Sequence, residues 1–168
     1  MLSNCSSSAA LHRYTLRHNG VLLILLDWLR GVLPKAALLY ADLPEGDFLQ
    51  VRDLFRSCRP DIAVKLQNII YVLELTICHE TNLVKSHDYK KNKYFNLQGD
   101  LSSLESGSSV SPFFVEVSVL GLISDLHDFI KSLNIKNLPL ELKYRVRKSV
   151  IDSSFQIYCN RNNNIIPA

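Results

Sequence analysis

Two apolar runs, Ile62-Ala63-Val64 and Ile69-Ile70-Tyr71-Val72-Leu73, are separated by so little chain that they are best read as partners in one hairpin. A tight turn at Gln67-Asn68 joins them. The pairing folds Asp61, the last residue of Arg59-Pro60-Asp61, back beside Glu74 at the end of the second run. Two carboxylates so placed repel each other unless a cation sits between them, so hard-metal binding is the natural use of the pair. A divalent ion held there suits phosphodiester cleavage. Taken singly, each acid has a plainer use: Asp61 can cap a strand or pair with Arg59, and Glu74 can be a solvated edge residue. The spacing, together with the lysines downstream, favours the site.

The rest of the chain sets limits on what surrounds that hairpin. Its 168 residues, 47% of them apolar, suffice for one domain with a sizeable core. The formal charge of +3 is mild, but the basic residues cluster. Lys85, Lys90, Lys91 and Lys93 face only Asp88, and Lys143, Arg145, Arg147 and Lys148 face only Glu141. Either cluster can be the wet face of a helix or a track for a nucleic-acid backbone. Cys5, Cys58, Cys78 and Cys159 form no Cys-x-x-Cys pair, which argues against a disulfide framework and against a zinc site completed within the chain. Reduced thiols in an intracellular protein are the expectation. Val21 to Leu26 is apolar, yet Asp27, Arg30 and Lys35 interrupt it well before the roughly 20 residues of a membrane span. It is expected to be a buried helix, and no membrane association is expected.

Along the chain, residues 1–12 are Ser-rich and expected to fray. Helical spacing runs from about Tyr14 to Leu33, with Val21, Leu22, Leu25, Trp28, Leu29 and Val32 on one face and Pro34 as the stop. A short strand is expected at Ala37 to Ala41, turn chemistry at Pro44-Glu45-Gly46-Asp47, and irregular or helical chain from Phe48 to Ser57. After the hairpin, a helix from about Asn82 to Leu104 sets Lys90, Lys93, Tyr94 and Leu97 near one side, looking back at the strands. A Ser/Gly loop from Ser102 to Ser111 leads into a strand, Phe113 to Val117. Helices follow at about Leu120 to Leu133 and Leu138 to Tyr158, the second with Leu142, Val146, Val150, Ile151 and Phe155 as its core stripe. The fold class is therefore α/β, a small mixed sheet flanked by helices. The expected divisions are 1–12, a frayed segment; 13–135, the main domain; 136–159, a C-terminal helix; and 160–168, a disordered tail.

Arg59-Pro60-Asp61, Glu74-Leu75-Thr76, Glu80-Thr81-Asn82, and His87 followed by Lys90, Lys93 and Tyr94 resemble a known family. It is the restriction-endonuclease-like domain, of the PD-(D/E)XK nuclease fold, at the C-terminal end of non-LTR-type retrotransposon reverse-transcriptase polyproteins. Tyr14-Thr15-Leu16-Arg17-His18-Asn19 is similar to the family's Arg-His opening of the first helix. Phe114-Val115-Glu116-Val117 looks like its Glu-Val-Gly strand, with Ser118 at the glycine. Leu2-Ser3-Asn4-Cys5 resembles the last stretch of its upstream zinc knuckle, so residues 1–12 read as a remnant of that region.

The resemblance implies a restriction-endonuclease-like core and metal-dependent nicking of target DNA to prime reverse transcription. It makes Asp61 and Glu74 the ligands of Mg²⁺ (or Mn²⁺). Thr76 stands where most members of the wider fold carry a lysine, so the resemblance moves that catalytic role to Lys90 or Lys93. Arg59, His87, Lys91 and Tyr94 are the implied nucleic-acid contacts, with Tyr94 either positioning a phosphate or packing beneath the site. Glu116 is more readily an ordinary strand-end acid than a ligand. Intracellular, nuclear action on DNA is the implied setting, and a severed piece of a retroelement the implied origin. The alternative is a catalytically inactive DNA-binding or scaffold remnant of the same fold; a helical protein-interaction module is a third reading.

Overall fold

Ten helices and strands stand among the described residues, and one long hairpin organises them. The computed structural model describes residues 8–44, 46–55, 59–101 and 108–160, excluding the side chains of residues 8, 9, 93 and 95–101. The elements are α1 (Ser8–Val32), β1 (Leu38–Ala41), β2 (Leu49–Gln50), α2 (Val51–Leu54), β3 (Ile62–Leu66), β4 (Ile69–Cys78), α3 (Leu83–Leu101), β5 (Ser109–Ser118), α4 (Leu126–Ser132) and α5 (Leu140–Cys159). A single 3-10 turn, Glu80–Asn82, leads into α3.

β3 and β4 pair antiparallel, with Leu66 opposite Ile69 across the turn. Gln67 takes a left-handed φ of 53°, the backbone sense that matches strand twist in two-residue hairpins. The five strands run in the order β2-β1-β3-β4-β5. β1 is antiparallel to β3 and parallel to β2, while β4 and β5 are parallel along ten residues each. That parallel pairing carries β4 beyond Leu73 to Cys78, so Glu74 lies inside a central strand rather than at the end of one. A parallel neighbour needs a crossover, and α3 supplies it.

Alternation along the strands divides the core in two. Ile62, Val64, Leu73, Leu75, Val115 and Val117 meet Val21, Leu22, Leu25 and Leu29 of α1, Phe129 of α4, and Leu142, Val146 and Val150 of α5. Ala63, Ile70 and Val72 turn the other way, toward Tyr94 of α3 and Phe55, with Phe114 beside them. Each fully buried leucine, isoleucine or phenylalanine contributes about 2 kcal/mol. The architecture is thus α/β with a mixed sheet.

Several boundaries differ from the sequence expectation. α1 begins at Ser8, so residues 8–12 are helical, and Ala10 is buried. Val32, expected on its buried face, is exposed. Phe48 to Leu54 holds a two-residue strand before a one-turn helix. Residues Ser109 to Ser111, assigned to a loop, pair with Ile69 to Tyr71 as the start of β5. α4 starts only at Leu126, because Gly121 (φ 86°) and the Val117–Ile123 bridge turn the chain first. On α5, Ile151 and Phe155 face solvent; Ser154 and Ile157 are buried instead. Ser154 tolerates burial because its hydroxyl accepts from Arg17, a contact that hydropathy cannot register. Residues 1–7, 102–107 and 161–168, with the expectations placed on them, lie outside the described residues.

Candidate functional site

Asp61 stands just before β3 and reaches across to β4, where its Oδ2 accepts the Leu75 backbone N–H at 2.6 Å. This bond fixes the aspartate toward the acid that precedes Leu75. Glu74 is 4% exposed. A carboxylate buried in a central strand must be compensated, and α3 provides the compensation. Lys90 places its ammonium 2.5 Å from Glu74 Oε2, 2.9 Å from the Leu75 carbonyl oxygen and 3.9 Å from Asp61 Oδ2. Tyr94, one turn further along α3 and 1% exposed, donates its hydroxyl to Glu74 Oε1.

From α1, the His18 Nε2 lies 3.3 Å from Asp61 Oδ2 and 3.3 Å from the Leu75 carbonyl oxygen. Its Nδ1 faces Asn19 Oδ1 at 3.4 Å, so both ring nitrogens look at acceptors, which favours the imidazolium. Burial pulls the His18 pKa down, but the hydrogen bond and the charge of Asp61 outweigh it, and the net shift is upward. His18 and the Lys90 ammonium therefore converge on one patch of oxygen atoms.

That patch is the test of whether a metal suits the site. Asp61, Glu74 and the Leu75 carbonyl present only oxygen donors to the Lys90 ammonium, and an all-oxygen set around a compact cation is what Mg²⁺ or Mn²⁺ takes. In the metal-free protein the Lys90 ammonium itself neutralises these oxygens, and oxygen-only donors are of the kind that Mg²⁺ or Mn²⁺ accepts. Beside it opens a cleft of about 380 Å³ lined by Tyr14, Arg17, His18, Thr76 and Lys90. Thr76 Oγ1 is buried there without a hydrogen-bond partner.

Sequence reasoning thus named three residues, Asp61, Glu74 and Lys90, that the structure brings together. Lys93 belongs to α3 by its backbone, but its side chain lies outside the described residues. Asp61 does not pair with Arg59, whose guanidinium is instead exposed and bonded to Asp42 Oδ1 at 2.5 Å. Lys91 is exposed on α3. Tyr94, placed among the nucleic-acid contacts, is 1% exposed with its hydroxyl on Glu74, and it lines a pocket of about 400 Å³ with His87, Lys91 and Phe114. His18 was missed as a partner of Asp61; its signal was its place in Arg17-His18-Asn19, the stretch similar to the family's opening of the first helix.

A second polar cluster lies further along the same side of the sheet. His87 Nδ1 donates to Glu116 Oε1 at 3.0 Å, and Ser124 Oγ donates to Glu116 Oε2 at 2.6 Å. Glu116 is 3% exposed, so it is no solvated strand-end acid. The donor atoms of His87, Glu116 and Asp125 lie within 4.8 Å of one another, close enough for one ion. Phe114 separates this cluster from the first, with its ring edge-on to both His87 and Tyr94.

Cys78 and Cys159 are free thiols, and burial raises the pKa of Cys78; Cys5 and Cys58 lie outside the described residues. Among the described residues no helix is long and apolar enough to cross a membrane. No family model matches the chain, and no curated protein matches it.

Proposed function

We propose that the chain is a metal-dependent DNA endonuclease domain of the restriction-endonuclease-like class, of retroelement origin, acting in the nucleus. What supports the reading is one arrangement: Asp61, Glu74 and the Leu75 carbonyl gathered about the Lys90 ammonium, at the edge of an open cleft. Mg²⁺ or Mn²⁺ bound by those three groups would polarise a non-bridging oxygen of the scissile phosphate.

The chain's own groups have distinct tasks. Tyr94 and the Leu75 N–H hold Glu74 and Asp61 in place, so neither carboxylate needs to reorganise. Lys90 orients the attacking water and offsets charge that develops on the phosphate. His18, which meets the same Asp61 oxygen as Lys90, adds a basic group to the cleft wall. Arg59 and Lys91 are exposed cations suited to backbone phosphates, which gives sequence-independent, salt-sensitive affinity. His87 is reserved to Glu116 and contributes from the adjoining cluster.

The experiment is supercoiled plasmid incubated with Mg²⁺ or Mn²⁺ and either the wild-type chain or Asp61→Ala. Nicking by the wild type that the variant loses is the expected result. Equal nicking by both, or none by either, defeats the enzyme and leaves a DNA-binding scaffold.

A further inference from the structure

Arg13 and Arg17 stand one turn apart on α1, 8% and 4% exposed. A guanidinium stays charged under all ordinary conditions, so a buried one is normally accompanied by a carboxylate. Neither has such a partner here: the ion pairs among the described residues involve neither arginine. Arg17 places part of its donors, with Nη1 on Ser154 Oγ at 3.0 Å and Nη2 on the Ile77 carbonyl at 3.4 Å. Its guanidinium also lies 5.5 Å from the centre of the Tyr14 ring. Arg17 Nε, Arg13 Nε and Arg13 Nη1 are buried with no hydrogen-bond partner. Leaving three charged-group donors unsatisfied is a heavy cost unless a ligand accepts from them.

The room for that ligand is present. Both arginines line a cavity of about 180 Å³ between α1 and α5, and its other polar walls are Ser149, Ser153, Gln156 and Asn160. Among the described residues no acid lines it, so two positive charges meet neutral hydrogen-bonding groups. Burial without a counter-charge lowers the Arg17 pKa.

We propose that the cavity between α1 and α5 binds a phosphate group through Arg13 and Arg17. Paired guanidinium groups match a tetrahedral dianion in charge and in donor geometry. Gln156 and Asn160 supply amide donors at the rim. The phosphate can be a free ion or the phosphorylated end of a nucleic acid; the chemistry of capture is the same. Asp61 and Glu74 do not line the cavity; Arg17 lines both it and the cleft beside them, whereas Arg13 lines the cavity alone, so variants at Arg13 and Asp61 separate this site from the nuclease reading.

The test is thermal unfolding of the whole chain in metal-free buffer, titrated with sodium phosphate against sodium chloride of equal ionic strength. The expected result is a saturable rise in Tm of roughly 5–10 °C at about 100 times Kd, absent with chloride. Arg13→Met should fold at least as stably in chloride, having lost an unpaired buried charge, and show no rise with phosphate. Asp61→Ala should keep the full rise. A 5′-phosphorylated trinucleotide that stabilises where its 5′-hydroxyl twin does not assigns the site to nucleic-acid ends. A rise confined to inorganic phosphate assigns it to the free ion. An equal rise in chloride, no rise in the wild type, or a full rise in Arg13→Met overturns the proposal. Should Arg13→Met not fold, the wild-type titration decides alone.

Discussion

The Lys90 ammonium lies 2.5 Å from Glu74 Oε2, so a helix residue supplies the counter-charge of a carboxylate buried in the middle of the sheet. The pair ties α3 to β4 and sets the charge balance of the candidate site. Lys90→Met removes the cation and leaves Glu74 buried against Tyr94 alone. The expected loss is about 3 kcal/mol of stability, measured by urea unfolding, because breaking one half of a buried pair strands the other half. Nicking should fall about 100-fold or more at temperatures where the variant is folded.

Tyr94→Phe isolates positioning from charge. The ring stays in its slot beside Phe114, and only the hydroxyl on Glu74 Oε1 is lost. The expected cost is about 1–2 kcal/mol, that of a buried acceptor left without one donor. Chemical denaturation and plasmid nicking on the same preparation check both effects.

His18 gives the metal-free protein a pH signature. Its folded pKa is raised above the ordinary 6.5, through the hydrogen bond and charge of Asp61. The folded state therefore holds the proton more tightly than the unfolded chain. The stabilisation is fully present below the unfolded pKa and is lost as pH rises through the folded one. The wild type should lose stability relative to His18→Gln as pH rises above the ordinary histidine value of 6.5, in denaturation midpoints taken at successive pH values. Parallel curves for the two proteins would contradict the assignment.

The hairpin was legible because its information is local. Two apolar runs, a two-residue gap and the flanking acids determine the register that sets Asp61 beside Glu74. Lys90 and Lys93 were offered together, from helical spacing and the resemblance; Lys90 meets Glu74 because α3 crosses the sheet to bring β5 parallel to β4. What could not be read was non-local pairing of polar groups. Ser154 is buried by a partner 137 residues away, so hydropathy chose Phe155 in its place. Asp125 joins His87 and Glu116 only because residues 119–125 turn back at Gly121, and no spacing in the sequence announces that meeting.

Glu116 provides a further check on the second cluster. Its two oxygens accept from His87 and Ser124, and Glu116 itself is buried. Glu116→Ala should cost about 2–4 kcal/mol through the two stranded donors and the space left behind. A change under about 0.5 kcal/mol in urea unfolding would mean that the network contributes nothing to the fold.

The claim at the centre is that Asp61 and Glu74, rather than His87 and Glu116, hold the divalent ion. Electron paramagnetic resonance of free Mn²⁺ during titration of the chain measures it directly. The account predicts saturable binding in the wild type and in His87→Ala, lost in Asp61→Ala. Binding that survives in Asp61→Ala and disappears in His87→Ala would contradict it.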